Sequence, residues 1–146
     1  MKAIFIKLIY FSTSYVYPGR KGDYSEKDAV LPWNNYAWSK LGGECAVQMY
    51  KNSLILRICM TEKPFVHKKA FTNVKLNFIF HDELSKILIK VLDKKGIINI
   101  GGASKTVYDF AKKYNPKIKK ILNNKLLNKF PPKPFMNLSK LNKIIK

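Results

Sequence analysis

The pattern of hydrophobic positions divides the chain into short apolar runs, polar loops and segments with helical spacing. Residues 3–11 are almost continuously apolar, which is typical of a parallel strand buried on both faces. Shorter apolar runs predict two further strands, at 53–58 and 97–100, whereas 59–72 shows no period and is predicted to be irregular. Helical spacing predicts helices at about 35–50, 81–92, 104–113 and 138–145. Strands that alternate with helices predict an α/β fold with a parallel sheet.

The first predicted strand ends in three consecutive hydroxyl residues, Ser12, Thr13 and Ser14. Ligands bind at the carboxyl ends of the strands in open α/β sheets. We therefore expect these hydroxyl groups to face a binding site. The polar loops at 18–23 and 29–35 either cover a ligand there or simply connect the elements on each side.

The helix predicted at 35–50 places Tyr36 and Lys40 on one face, because residues four apart are neighbours on a helix. A phenol with a pKa near ~10 is a poor proton donor or acceptor at neutral pH. A nearby ammonium group stabilises the phenolate and brings a phenol toward the working range of acid–base catalysis. The pair is therefore a candidate for proton transfer.

The spacing by itself is weak evidence, because the chain contains three such pairs: Tyr17–Lys21, Tyr36–Lys40 and Tyr108–Lys112. A Pro-Gly turn follows Tyr17 and separates it from its lysine. No apolar strand that ends in hydroxyl residues precedes Tyr108 at a comparable distance. Tyr36 does follow such a strand, 23 residues after Thr13, and we select its pair on that ground.

The formal charge of +19 is the most unusual feature of the composition. Arg20 and Arg57 are the only arginines among 28 basic residues, and the lysines are spread over the whole chain. Nucleic-acid-binding proteins usually concentrate basic residues on one face and use arginine to read or stack on bases. We therefore interpret the lysines as solvated surface. A hydrophobic content of 47% argues against a disordered chain.

The two cysteines, Cys45 and Cys59, fit neither the spacing of a metal site nor a disulfide framework, so we predict no metal ligand. We expect both to be reduced, as in a cytoplasmic protein. Lys7 interrupts the first apolar run, which lacks the cleavage site of a signal peptide. No stretch approaches the ~20 apolar residues that a membrane span needs, so we expect no membrane partner.

Three segments resemble the catalytic half of the extended short-chain dehydrogenase/reductases and occur in the same order as in that family: 11–19 (FSTSYVYPG), 24–26 (YSE) and 35–44 (NYAWSKLGGE). The resemblance continues through 53–57 (SLILR), 96–102 (GIINIGG) and 134–141, and so covers most of the chain. Within that family the chain is most similar to the dTDP-4-dehydrorhamnose reductases, which act on nucleotide-linked 4-keto sugars.

The resemblance implies hydride transfer between NAD or NADP and C4 of a nucleotide-sugar ketone. It assigns Tyr36 as the proton donor, Lys40 as the residue that holds the nicotinamide ribose and favours the phenolate, and Thr13 as a hydrogen-bond donor to the carbonyl oxygen. It also places Ile58, with Tyr36 and Lys40, beside the cofactor, and Tyr15, with Thr13, beside the substrate. Rhamnose reductases usually have aspartate after the threonine, where this chain has serine, so the sugar is left open.

The seven glycines form neither Gly-x-Gly-x-x-Gly nor Gly-x-x-Gly-x-x-Gly, the turns that seat a dinucleotide pyrophosphate at a helix amino terminus. We therefore expect a single truncated domain, a partial Rossmann-like sheet without the amino-terminal glycine-rich βαβ unit. Residues 1–58 would supply the catalytic strand, loop, helix and following strand, and residues 59–146 the substrate-binding region and terminal helices. The cofactor would then bind only with a complementary amino-terminal half, and the chain alone would be inactive and would self-associate or pair with that half.

Two other interpretations remain open. The first is a non-catalytic sugar-nucleotide-binding or regulatory module, which the missing phosphate loop favours and which Thr13, Tyr36 and Lys40 argue against. The second is a basic nucleic-acid-associated protein, which the net charge favours and the even spread of lysine argues against.

Overall fold

The structure is a computed structural model that describes residues 6–124 and 130–146. Within these ranges the strands are β1 (Leu8–Thr13), β2 (Ser53–Ile58), β3 (Met60–Thr61), β4 (Lys69–Phe71), β5 (Lys75–Leu76), β6 (Ile79–Phe80), β7 (Gly96–Ile100), β8 (Lys105–Thr106) and β9 (Lys119–Ile121). The helices are α1 (Asn35–Gln48), α2 (His81–Val91), α3 (Val107–Lys112) and α4 (Ser139–Ile145), and a 3₁₀ turn, Ser14–Val16, follows β1. In this part of the chain no helix is long and apolar enough to cross a membrane.

The central sheet has three parallel strands in the order β1-β2-β7. Thr13 pairs with Ile58, which pairs in turn with Ile100, so all three strands end at the same edge. Alternate residues of a strand point to opposite faces. Leu54, Leu56 and Ile58 pack on one face in a core cluster with residues of α2 and α4. α1 packs against β1 and β2 on the other face.

The position of each strand in the sheet accounts for its burial. All six residues of β2 are buried, including Ser53 and Arg57, because β2 has a neighbour on each side and helices on both faces. β1 is the edge strand of the sheet in the described part of the chain, and its first four residues are partly exposed. The buried end of β1 is therefore the hydroxyl end, Ser12 and Thr13.

The residues between β2 and α2, and those after β7, form a second packed region beside the sheet. Two-residue and three-residue strands build it: β3 pairs with β6 and β4 with β9 in parallel, and β5 pairs with β8 antiparallel. An apolar cluster that includes Val74, Leu76, Val107 and Ala111 holds these short strands together. The backbone of Cys59 bonds to Ile100 and to Ile79, so this region lies against the carboxyl edge of the sheet.

The structure confirms the α/β class and the parallel sheet, and it corrects two details. The first strand begins at Leu8 and ends at Thr13, and it is not buried on both faces; residues 3–5 of the predicted strand lie outside the described residues. The segment 59–72 is not irregular throughout, because it contains β3 and β4. Strands of two or three residues leave no periodic signal in a sequence.

Candidate active site

A cavity of about 160 Å³ opens at the carboxyl edge of the central sheet. Its walls come from the end of β1, the start of α1, the end of β2 and the segment before β6: Ser12, Thr13, Ser14, Tyr15, Tyr36, Ile58, Cys59, Met60 and Phe78. We call it the edge cavity. It brings together four of the five residues predicted for the site, Thr13, Tyr15, Tyr36 and Ile58.

Thr13 is held at the end of β1 by a local hydrogen bond. Its hydroxyl oxygen accepts from the Tyr15 N–H at 3.3 Å and caps the 3₁₀ turn. This bond uses an acceptor lone pair, so the hydroxyl hydrogen can still be donated to a ligand. The buried Ser14 hydroxyl lies beside the Cys59 thiol in the wall of the same cavity. The Thr13 hydroxyl is thus the group available to a polar ligand atom.

Tyr36 reaches the cavity from the first turn of α1. Asn34 is the N-cap of this helix, because its side-chain oxygen accepts from the Ala37 N–H at 2.7 Å. The cap fixes where the helix begins and therefore where Tyr36 lies. Tyr36 is 55% exposed, so its phenol can be reached both from solvent and from the cavity.

Lys40 lies one helical turn after Tyr36 but does not line the edge cavity. Its ammonium nitrogen lies 4.7 Å from the centroid of the Tyr10 ring, a cation–π contact. The Tyr10 hydroxyl donates to the Lys40 carbonyl oxygen at 3.2 Å. Gly43 leaves room for Tyr10, since a Cβ at Gly43 would lie 2.1 Å from the Tyr10 hydroxyl oxygen. The Lys40 side chain therefore lies against Tyr10 of β1 and does not form part of the cavity wall.

Tyr15 forms an aromatic wall of the edge cavity. Its ring packs against Trp33 and Phe130, with centroids 5.1 Å and 5.6 Å away. Burial, with smaller contributions from Cys59 and Tyr36, raises the pKa of the Tyr15 phenol above its ordinary value. Tyr15 therefore stays protonated at neutral pH and can serve as a hydrogen-bond donor but not as a base.

A chain of buried polar side chains connects the elements that carry these residues. Arg57 donates to the fully buried carboxylate of Glu44, with Nη2 2.7 Å from Oε2 and Nε 3.0 Å from Oε1. The Ser12 hydroxyl donates to the same carboxylate. Arg57 Nη1 donates to the Tyr17 hydroxyl at 2.9 Å, and that hydroxyl donates to Asn99 Oδ1 at 2.8 Å. We call Ser12, Glu44, Arg57, Tyr17 and Asn99 the buried network.

The buried network joins β1, α1, β2 and β7, and its members lie next to the predicted site residues. Ser12 precedes Thr13 and Arg57 precedes Ile58 along their strands. The sequence contained a signal for this network, because Arg57 interrupts an apolar strand and a buried charge requires a partner. With nine acidic residues in the chain, the sequence does not reveal which of them pairs with Arg57.

A larger cavity of about 470 Å³ adjoins the edge cavity, and three residues line both: Tyr15, Met60 and Phe78. We call it the aromatic cavity, since Phe65, Phe71 and Phe130 also line it, and His67 and Lys69 are part of its wall. Lys69 pairs directly with Lys119 across β4 and β9, and neither lysine forms an ion pair with a described residue. Like charges opposite each other on neighbouring strands repel, and an anionic ligand group would relieve that repulsion.

The glycines of the chain do not form a turn that could seat a pyrophosphate. A Cβ at Gly19 or Gly22 would come within 2.6 Å of Pro131 or Phe135, and a Cβ at Gly101 would meet Asn77 at the same distance, so these glycines pack against the chain itself. Gly42 and Gly96 have open space around them, but one lies within α1 and the other begins β7. The described residues therefore offer no glycine-rich turn for the pyrophosphate of a dinucleotide.

No group of three or more His, Cys, Asp or Glu side chains in the described ranges could hold a metal ion. Cys59 lines the edge cavity, but burial raises the pKa of its thiol to about 12. At neutral pH this thiol is therefore neither a nucleophile nor a metal ligand. Cys45 is exposed on α1 and is not part of the cavity wall.

Solved structures of similar fold include nucleotide-sugar enzymes. A hypothetical dTDP-4-dehydrorhamnose reductase from Sulfolobus tokodaii is 26% identical, with a TM-score of 0.80 over 94% of this chain and 58% of that chain. A dTDP-4-dehydrorhamnose reductase from Bacillus anthracis in complex with NADP is 20% identical, with a TM-score of 0.78 over 94% and 57% of the two chains. A UDP-glucuronic acid 4-epimerase from Bacillus cereus in complex with NAD is 22% identical, with a TM-score of 0.68 over 94% and 52%.

The chain thus spans less than two thirds of the length of these proteins. The two that are below 25% identity establish the fold alone. No curated protein matches the chain in a sequence comparison. The sequence profile described as "RmlD substrate binding domain" matches residues 2–78, a little over half of the 146 residues. The chain therefore belongs to the RmlD substrate binding domain family, within the extended short-chain dehydrogenase/reductases.

Proposed function

We propose that this chain is the proton-donating and sugar-binding part of an NAD- or NADP-dependent reductase that acts on a 4-keto-6-deoxy sugar nucleotide. The proposal depends on one observation: a single cavity at the carboxyl edge of the sheet is lined by Thr13 of β1 and Tyr36 of α1. The names of the Sulfolobus tokodaii and Bacillus anthracis relatives support a nucleotide-sugar ketone as substrate, and the NADP bound to the latter supports a nicotinamide cofactor.

In the proposed reaction, Thr13 and Tyr36 act on the oxygen at C4 of the sugar. Thr13 donates a hydrogen bond to that oxygen, and Tyr36 transfers its phenolic proton as negative charge develops there. The cofactor supplies the hydride when it is bound. Ile58 provides an apolar wall on the cofactor side of the cavity, and Tyr15 closes the substrate side while remaining protonated.

Lys40 would support Tyr36 after a change of side-chain conformation. The flexible stem of a lysine can turn away from the Tyr10 ring, and residues four apart on a helix are neighbours. In that position the ammonium charge would stabilise the phenolate of Tyr36 and could reach a ribose hydroxyl of the cofactor. The cation–π contact with Tyr10 is a partly exposed one and is worth only about 0.5–1 kcal/mol, so this change is accessible.

The nucleotide part of the substrate is assigned to the aromatic cavity, which belongs to the region 59–146. Its rings can stack on a planar base, and its volume of about 470 Å³ is in the range of small-molecule sites. Lys69 and Lys119 would neutralise the diphosphate, because they face each other without an acidic partner in the described part of the chain. The cofactor pyrophosphate would be held by a glycine-rich βαβ unit outside these 146 residues.

A second candidate is a sugar-nucleotide-binding module that does no chemistry. The contact of Lys40 with Tyr10, and its absence from the cavity wall, favour this candidate. In this candidate the aromatic cavity still binds the nucleotide, but Tyr36 does not transfer its proton to the substrate. Binding and turnover experiments therefore separate the two candidates.

Calorimetric titration of the chain with dTDP-rhamnose tests the shared part of the proposal. Lys69→Ala combined with Lys119→Ala should weaken binding by about tenfold or more, because two charge-assisted contacts to phosphate are lost. Tyr36→Phe should change the affinity by less than about twofold, since it removes a proton donor and little contact area. No measurable binding by the wild-type chain would contradict both candidates.

Turnover tests the chemistry, with the chain co-expressed with the part of the Sulfolobus tokodaii relative that it does not match. With NADPH and dTDP-4-dehydrorhamnose, Tyr36→Phe should lower kcat by about 100-fold or more and leave KM nearly unchanged. Tyr108→Phe is the matched control, because Tyr108 also precedes a lysine by four residues but lines neither cavity. Equal losses from the two substitutions would contradict the assignment of Tyr36, and binding without turnover would favour the non-catalytic module.

A further inference from the structure

The positive charge of the chain is concentrated in its second half. Residues 1–58 contain eight basic and four acidic residues, whereas residues 59–146 contain 20 lysines and five acidic residues. The stretch 110–146 contains 11 lysines and no aspartate or glutamate. A charge asymmetry of this kind indicates a surface that meets an anionic partner.

Two of these lysines share one aromatic ring. Lys112 of α3 and Lys120 of β9 place their ammonium nitrogens 5.8 Å and 5.2 Å from the centroid of the Tyr108 ring. The ring attracts each cation, but the two cations repel each other. Neither lysine forms an ion pair with a described residue, and the carboxylate of Asp109, on the same helix, accepts a hydrogen bond from the Thr106 hydroxyl. An anion bound beside this ring would relieve the repulsion.

Further lysines surround this pair on the two-stranded ribbon of β4 and β9. The Lys68 carbonyl oxygen accepts a hydrogen bond from Lys119 N–H at 3.1 Å, and Lys69 pairs with Lys119. All of these lysines are exposed. Because side chains alternate along a strand, Lys120 lies on the opposite face of the ribbon from Lys119. We call Lys68, Lys112 and Lys120 the lysine face.

An open groove borders the lysine face. Thr72, Lys120, Ile121 and Leu122 line it, and Leu122 is 68% exposed. The backbone of a nucleic acid alternates charged phosphates with sugar rings that carry C–H groups, and proteins position themselves through both. A groove with one ammonium group beside apolar side chains fits that alternation.

The residue types on the lysine face favour phosphate over carboxylate as its ligand. Lysine binds phosphate as a point charge, whereas arginine is the residue that recognises carboxylates with paired hydrogen bonds. Both arginines lie outside this half of the chain, and Arg57 is buried against Glu44. Without arginine the face offers no paired hydrogen bonds to guanine, so it is not suited to reading bases.

Charge density distinguishes a nucleic acid from an acidic polypeptide. A nucleic-acid duplex carries one negative charge per ~1.7 Å of its axis, and lysines that neutralise its phosphates release condensed counterions. This release favours binding even where each contact is weak. An acidic polypeptide has a lower charge density and gains less from it.

We propose that the lysine face binds the phosphate backbone of a nucleic-acid duplex without reading its base sequence. This binding is separate from the proposed reaction. Lys69 and Lys119, which are assigned to the diphosphate of the sugar nucleotide, lie on the opposite face of the ribbon, and Lys69 lines the aromatic cavity there.

Two double variants of equal net charge test the lysine face. One combines Lys112→Gln with Lys120→Gln, and the control combines Lys51→Gln with Lys86→Gln. The control lysines are exposed on other elements and also form no ion pair with a described residue. Binding is measured by fluorescence anisotropy with a labelled DNA duplex of about 20 base pairs at ~50 mM salt.

The wild type and the control should bind the duplex with affinities within about twofold of each other, and the variant of the lysine face should bind about tenfold more weakly. Its plot of log K against log salt should also be shallower by about 2, because two phosphate contacts are lost. Equal losses in the two variants would overturn the proposal, because net charge alone would then cause the binding. Absence of saturable binding by the wild type would overturn it as well.

Competition identifies the partner. Unlabelled duplexes of unrelated sequence should displace the labelled duplex equally, and poly-L-glutamate at the same concentration of charge should displace about tenfold less. Equal displacement by poly-L-glutamate would contradict the assignment to nucleic acid and favour an acidic protein. A preference of about tenfold or more for one duplex sequence would contradict binding through phosphates alone.

Titration with dTDP-rhamnose separates the lysine face from the substrate site. The variant Lys112→Gln with Lys120→Gln should keep the wild-type behaviour toward this sugar nucleotide within about twofold. A selective loss of sugar-nucleotide affinity in this variant would place both lysines in the substrate site and overturn the proposal. Its urea midpoint should stay the same or rise, since substitution removes a repulsion between like charges.

Discussion

Glu44→Gln should remove a large part of the stability of this protein. Glu44 is 0% exposed and Arg57 is 3% exposed, and both Nε and Nη2 of Arg57 donate to the Glu44 carboxylate. Removing one partner of a buried ion pair typically costs about 3–5 kcal/mol, because the other charge stays buried without compensation. Glutamine keeps the size of the side chain and one acceptor oxygen, so we expect about 3 kcal/mol, the lower end of that range. This is a substantial share of the roughly 5–15 kcal/mol that stabilises a typical domain.

Urea unfolding followed by far-UV circular dichroism measures this loss. With a slope of roughly 1.5–3 kcal/mol per molar urea, the midpoint should fall by about 1–2 M. Asp93→Asn is the control, since Asp93 pairs with its neighbour Lys94 at an exposed position and should leave the midpoint nearly unchanged. Tyr17→Phe should have an intermediate effect of about 1–3 kcal/mol, because it leaves Arg57 Nη1 and Asn99 Oδ1 without their buried partner.

The double variant Glu44→Leu with Arg57→Met provides the sharpest check. Replacing both charges by apolar groups removes the desolvation cost of each, so this variant should be more stable than Glu44→Gln. The reasoning is refuted if Glu44→Gln lowers the midpoint by less than about 0.3 M. Such a result would mean that the charge of Arg57 is solvated or compensated when Glu44 is neutral.

Four further predictions use the same purified chain. Gly42→Ala should raise stability by up to ~1 kcal/mol, because the added Cβ meets open space. Gly43→Ala should lower stability, because its Cβ would meet the Tyr10 hydroxyl. Equal shifts of the urea midpoint in the two variants would contradict that contact. A disulfide reagent should modify Cys45 rapidly and Cys59 only as fast as the protein unfolds. In Cys45→Ala the fast phase should disappear and the slow phase should remain. Burial raises the pKa of the Cys59 thiol from 9.0 to about 12. Its contribution to stability is therefore complete below pH 9 and is lost as the pH rises toward 12. In alkaline unfolding curves, Cys59→Ala should lose less stability over this pH range than the wild type. Calorimetry with NADPH should show no micromolar binding to the chain alone, because its glycines form no turn for the pyrophosphate; micromolar binding would reveal a dinucleotide site of another kind.

The central sheet could be predicted because its signals are local. The bounds of β2 match the apolar run at 53–58, and α1 begins at residue 35, where helical spacing begins in the sequence. Both signals depend on neighbours in sequence. The ladder of β3 and β6 depends on a pairing between Met60 and Ile79, which are distant in sequence and leave no period. The edge position of β1 also depends on tertiary structure, since the sequence of an apolar strand does not show whether one or two neighbouring strands pair with it.

The candidate site was predictable to the extent that backbone position decides it. The 23 residues between Thr13 and Tyr36 correspond to a strand end and the first turn of the next helix, which the parallel sheet brings to one edge. The direction of Lys40 was not predictable, because it depends on which ring lies beside the helix. Tyr17 was set aside as a residue before a turn, and the structure makes it a buried link between Arg57 and the rest of the network.

The position of Tyr36 depends on a directional contact two helical turns away from it. α1 contains two adjacent glycines, which weaken it by about 1 kcal/mol each, and buries only Ala37, Glu44 and Val47 within the described structure. Two small apolar side chains anchor a helix weakly and allow it to slide, because hydrophobic contact has no preferred direction. The side-on contact of Glu44 with Arg57 fixes both distance and angle. A proton donor must lie within hydrogen-bond reach of its acceptor, so a helix held by charge in this way would give Tyr36 the precision that its own packing does not provide.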